Sequence, residues 1–166
     1  MNEFTPHPDF DLVLERTIPV SPEAVWAAWT EPELLMQWFT PAPWTMVSVD
    51  NDLRPGGRCD MVMASPEGIE VRNSGCYLTL EPSRLLVLTN LLLADFRPAT
   101  PTHRPEEMLF TARVELEPAA DGGTHYRAIA IHADRETAEK HEAMGFEEGW
   151  GPALDQLVKL QSTSMP

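Results

Sequence analysis

Side chains able to run acid–base chemistry near neutral pH are few in this chain. Its five histidines are scattered, and its two tyrosines, Tyr77 and Tyr126, stand far apart. His132 ends the alternating run Tyr126, Ala128, Ala130, His132 and so shares one strand face with them. On a concave face, His132 with Tyr77 or a carboxylate would have the acid–base groups that a cyclase or hydratase needs. A lone histidine in such a wall is more simply a hydrogen-bonded structural residue. His141 falls on a later helix with no partner in view, which is too little for a metal site. Asp50 and Asp52 flank a turn, where solvated carboxylates belong. The chain has no Gly-x-Ser-x-Gly, no His-Glu-x-x-His, no Cys-x-x-Cys and no dinucleotide-binding glycine motif. No catalytic residue, metal or cofactor is assigned on this basis.

Large apolar side chains carry more information. Trp38, Phe39, Trp44, Met61, Met63, Phe110, Met144 and Trp150 offer broad or adaptable surfaces, and methionine in particular fits varied ligand shapes. Together with Tyr77 and His132 they form the candidate ligand-binding set. Core packing explains most of them equally well, so a fold that leaves space between its layers is needed to make them a site.

The elements that would position these residues can be read in order. Residues 1–9 are expected to be a flexible arm, 10–161 one domain, and 162–166 a tail. Phe10, Leu12 and Leu14 alternate with polar residues in a first strand. Ser21-Pro22-Glu23 supplies an N-cap, a proline for the first helical position and a first-turn acid. Glu31-Pro32-Glu33 starts a second short helix expected to bury Leu34, Leu35 and Trp38. Strands follow from Trp44 to Val49, then with Cys59, Met61 and Met63 on one face, then at Val71–Leu80 and Leu85–Asn90. The glycine pair in Asp52–Arg58 precedes a strand rather than a helix, so it makes a turn and no phosphate cradle. Two more strands, around Phe110–Leu116 and Tyr126–His132, are joined by Asp121-Gly122-Gly123. Asp134 then N-caps a long amphipathic helix to Leu160, expected to bend near Glu148–Gly151 because of Gly149, Gly151 and Pro152, with Trp150 at the elbow. Between strands, residues 91–107 hold three prolines and are expected to be a mobile cover over the site.

Composition narrows the partners. A formal charge of −14 over 166 residues argues against nucleic acid and anionic membranes. The longest apolar run, Leu91 to Ala94, cannot span a bilayer, so no membrane insertion is expected. The opening MNEFTPHPDF lacks the basic start and apolar core of a secretory signal. Cys59 and Cys76 lack metal-ligand spacing and suit buried thiols in the cytoplasm.

The ordered runs Val20–Trp26, Glu31–Leu34 with Gln37–Phe39, Asp52–Arg58, Glu81–Leu85 and Met144–Leu157 resemble the START-like, or SRPBCC, superfamily. They are most similar to its branch named after the activator of heat-shock protein 90 ATPase. The resemblance spans about Phe10 to Leu160. It implies an α+β helix-grip fold: a seven-stranded antiparallel sheet curved around a long C-terminal helix, with two short helices after strand one and a hydrophobic cavity between. The expected function is a cytoplasmic binding module for a small hydrophobic or amphipathic ligand. A cyclase- or hydratase-type cavity enzyme and a chaperone-associated interaction domain stand as alternatives, and a homodimer or a chaperone as alternative partners.

Overall fold

The computed structural model describes residues 3–100 and 108–163. Alternating burial along β1 (Asp11–Ile18) puts Leu14 and Ile18 inside. At α1 (Pro22–Thr30) the Ser21 hydroxyl accepts from the Ala24 amide, and the helix buries Val25, Ala28 and Trp29. Glu31 ends it, and α2 (Pro32–Trp38) follows at once, burying Leu35 and Trp38. These helices carry the chain across the sheet, because β1 and β2 (Thr45–Asn51) lie at opposite edges. From β2 each neighbour is antiparallel: β3 (Arg58–Ala64), β4 (Glu70–Glu81) and β5 (Leu85–Thr89). The short pair β6 (Leu92–Leu93) and β7 (Arg97–Pro98) stands apart, and β8 (Thr111–Pro118) and β9 (Thr124–Ile131) complete the main sheet against β1. The seven-stranded order is β1-β9-β8-β5-β4-β3-β2.

The last segment departs from the single helix expected over 134–160. It is two helices, α3 (Arg135–Ala143) and α4 (Phe146–Thr163). Asp134 caps α3 by accepting from the Thr137 amide, as expected. The break falls at Met144–Gly145, not at Glu148–Gly151. Gly145 has φ +95°, the left-handed conformation that closes a helix C-terminus and that only glycine adopts freely. Gly149, Gly151 and Pro152 lie within α4, and Pro152 is near enough to its N-terminus that only an early hydrogen bond is lost.

α4 lies in the curve of the sheet, burying Phe146, Ala153, Leu154 and Leu157. Polar ties hold it to the short helices. Gln156 Nε2 donates to the carbonyls of Trp38 and Thr40, its Oε1 accepts from the Ala42 amide, and Gln161 donates to the Ala24 carbonyl. This is the helix-grip arrangement.

The described part of the expected arm makes contacts with the domain: Arg127 donates to the Phe4 carbonyl, the Arg113 guanidinium lies 4.8 Å over the Phe4 ring, and Arg135 pairs with Asp9 at 2.6 Å. The supposed cover begins as an ordered hairpin, β6–β7. Its Asp95 amide donates to the Gly56 carbonyl at 2.7 Å, and the Phe96 ring packs so closely on Gly56 that a Cβ there would sit 2.8 Å from it. Residues 101–107 of that segment lie outside the described residues.

Candidate functional site

Between sheet and α4 lies a pocket of about 270 Å³. The sheet supplies Leu14 from β1, Cys59, Met61 and Met63 from β3, and Asn73 and Gly75 from β4. Alternation along β3 places its three residues on one wall, as their spacing implies. From β5 to β9 the wall continues through Leu88, Asn90, Phe110, Ala112 and Tyr126, and the helices add Trp29, Trp38, His141, Trp150 and Ala153. Asn90 fixes the position of Phe110: its Nδ2 donates to the Met108 carbonyl and its Oδ1 accepts from the Phe110 amide. None of residues 91–100 lines this space, so the described part of the expected cover sits on the Gly56 turn instead.

Two aromatic groups flank the pocket. At the α1/α2 end Trp29, Trp38 and Phe39 meet edge-to-face with centroids 5.0–5.6 Å apart. Trp38 Nε1 donates to the Ala28 carbonyl at 2.8 Å, whereas the buried Trp29 Nε1 faces the Tyr126 hydroxyl without forming a well-aligned hydrogen bond among the described residues. At the α3/α4 end Phe110 sits 4.8 Å from His141 and 5.8 Å from Trp150, with Phe146 packed behind both. His132 Nδ1 lies 2.7 Å from the Phe10 carbonyl, and His132 Nε2 lies 2.8 Å from His141 Nδ1. Burial and, second, the neighbouring His132 pull the His141 pKa down to about 4, so its ring is neutral at pH 7. Burial pushes the Cys59 thiol up to about 11, which keeps it protonated. The Tyr126 hydroxyl is likewise pushed up by burial.

Six of the sequence-picked residues, Trp38, Phe39, Met61, Met63, Phe110 and Trp150, line the pocket. The other four do not. Met144 is 63% exposed at the α3–α4 break, which turns it outward. Trp44 is 39% exposed in the bend ahead of the edge strand β2, outside the cover of neighbouring strands. Tyr77 is core: its hydroxyl accepts from Asn51 Nδ2, which also donates to the Thr30 carbonyl at the end of α1. His132 stands behind His141, with Nδ1 at the Phe10 carbonyl and Nε2 at His141, and is not on the pocket wall. Sequence reasoning weighed His141 only as a metal ligand and set it aside, and it passed over Gln156 and Asn90. For His141 one signal was available: three residues after Ala138, it shares the buried face of its helix.

The family model described as Activator of Hsp90 ATPase homolog 1-like protein matches residues 19–161. Protein NE0264 from Nitrosomonas europaea, known from its crystal structure, is 40% identical over 95% of this chain and 97% of its own, with a TM-score of 0.88. Protein Ms6760 from Mycobacterium smegmatis shares the fold at 22% identity and a TM-score of 0.74, over 95% and 94% of the two chains. A protein from Arthrobacter aurescens solved by NMR does so at 23% and 0.77, over 93% and 87%. No curated protein matches the chain.

Proposed function

The chain belongs to the activator of Hsp90 ATPase homolog 1-like family, and from that membership we propose a cytoplasmic binding module that holds a small hydrophobic or amphipathic molecule between sheet and α4. The observation that carries this reading is the make-up of the pocket wall, which is rich in Trp, Phe, Met and Leu and includes no Lys or Arg among the described residues. Its volume of about 270 Å³ falls just under the roughly 300–1,000 Å³ common for small-molecule sites, which favours a compact ligand. Buried free Cys59 and Cys76 suit a reducing compartment. Among the described residues no helix is long and apolar enough to cross a membrane.

The test is native mass spectrometry of protein purified from its own host, together with titration of an apolar fluorophore. The expected result is a retained small molecule or saturable fluorophore binding that hydrophobic competitors displace. Met63→Trp and Ala153→Phe, each filling the pocket from a different wall, should weaken that binding. Absence of both retained ligand and saturable binding removes the proposal.

A further inference from the structure

The His132–His141 pair determines its own proton positions. A backbone carbonyl can only accept, so the His132 ring nitrogen 2.7 Å from the Phe10 oxygen carries a hydrogen. In the tautomer pair with both rings uncharged, His132 has its lone pair at Nε2, and the contact of 2.8 Å to His141 Nδ1 has His141 donating there. His141 is left with a lone pair on Nε2. No donor among the described residues reaches it, although the residue is only 8% exposed. The two nitrogens of an imidazole face nearly opposite sides of the ring. His141 is itself a wall residue, so with Nδ1 engaged by His132, Nε2 is the ring nitrogen it has left for the pocket.

We propose that the pocket selects a neutral, largely aromatic molecule carrying a hydroxyl or N–H group, whose hydrogen is accepted by His141 Nε2. His132 is the positioning residue: its bond to the Phe10 carbonyl fixes the tautomer of both rings. This rests on the binding-module reading and narrows its ligand class. Phe110 and Trp150 beside His141 suit an aromatic body. A carboxylate or phosphate is disfavoured, because a neutral acceptor offers it no hydrogen and the described wall has no Lys or Arg. The low His141 pKa agrees with a ring that stays an acceptor at neutral pH.

The experiment compares 2-naphthol, 2-methoxynaphthalene and naphthalene on the full chain by calorimetric titration at pH 7. One net hydrogen bond predicts that 2-naphthol binds about 3- to 10-fold more tightly than its methyl ether. In His141→Phe the ratio should fall to about one while the methyl ether still binds. Nitrogen-15 NMR of the unliganded protein should find both His132 and His141 as Nδ1–H tautomers. Added 2-naphthol should shift the His141 Nε2 resonance, and His132→Gln should return His141 to a tautomer mixture, effects that mere packing does not produce. Equal binding of naphthol and ether by the wild-type chain, or a His141 Nε2 signal unmoved by naphthol, overturns the proposal and leaves the binding module standing. Binding of none of the three compounds also overturns the proposal, and the binding module is then decided by the retained-ligand and fluorophore measurements.

Discussion

The two ends of the pocket are built on different principles. At the α1/α2 end, Trp29, Trp38 and Phe39 come from one short stretch of chain and lock together through ring edges, with Gln156 of α4 tied to the adjoining backbone. At the α3/α4 end, Phe110, His132, His141, Phe146 and Trp150 come from four separate elements and connections and enclose two titratable rings. The first end is a packed anchor. The second has a helix break and a half-buried Trp150, and it is the end where the proposed ligand would meet His141.

The largest expected contrast is in stability. Trp38→Ala should lower the unfolding free energy by about 3–5 kcal/mol, as for other buried aromatic truncations. Trp150→Ala, at a half-buried site, should cost roughly half as much, and urea denaturation of both variants would reveal an inverted order if the anchor were at the other end. The next effect is pH dependence. The folded-state pKa of His141, about 4, lies below its ordinary 6.5, so on acidification the unfolded chain takes up a proton first. The associated stability is complete above about pH 6.5 and declines between there and pH 4, at no more than about 1.4 kcal/mol per pH unit. Water in the pocket reduces the slope below that ceiling. Besides His132, the ring is faced by Phe110, Phe146 and Trp150, none of which titrates. In His141→Phe, stability measured across this range should be flatter by up to one proton.

Gly145→Ala tests the break itself. A Cβ in the left-handed conformation costs about 1–2 kcal/mol, and thermal unfolding should register that loss while the α1/α2 anchor stays intact. The smallest effect separates two neighbouring indoles. Trp38→Phe gives up the bond to the Ala28 carbonyl, whereas Trp29→Phe gives up at most a poorly aligned contact with the Tyr126 hydroxyl. Trp29→Phe should therefore be milder by about 1 kcal/mol. Equal losses in denaturant titrations would mean that Trp29 Nε1 finds a partner in solution.

Legibility differed in the same way between the two ends. Proline-capped starts at Ser21 and Glu31, with tryptophans at helical spacing, made the anchor readable, because its contacts are local. Alternation along β3 likewise put Cys59, Met61 and Met63 on one wall. The α3/α4 end was misjudged in three particulars: the bend was expected near Glu148–Gly151, Met144 was turned inward, and His132 was given the place that His141 holds. Glycine and proline both permit a bend, and periodicity cannot say which of several in one helix is used.

The sequence alone determined the strand and helix identities, the antiparallel connections and most of the apolar wall, since these follow from side-chain period and from turn residues acting on their immediate neighbours. Only the tertiary structure decided that Gly145 ends α3, that residues 92–98 fold onto the Gly56 turn, and that His132 and His141 pair. The hairpin contact joins residues far apart in the chain, while the break at Gly145 and the histidine pair depend on how α3 and α4 pack, and none of these leaves a periodic trace. The proton order of the histidine pair rests on the Phe10 carbonyl, more than a hundred residues away, and nothing short of the fold brings the two together.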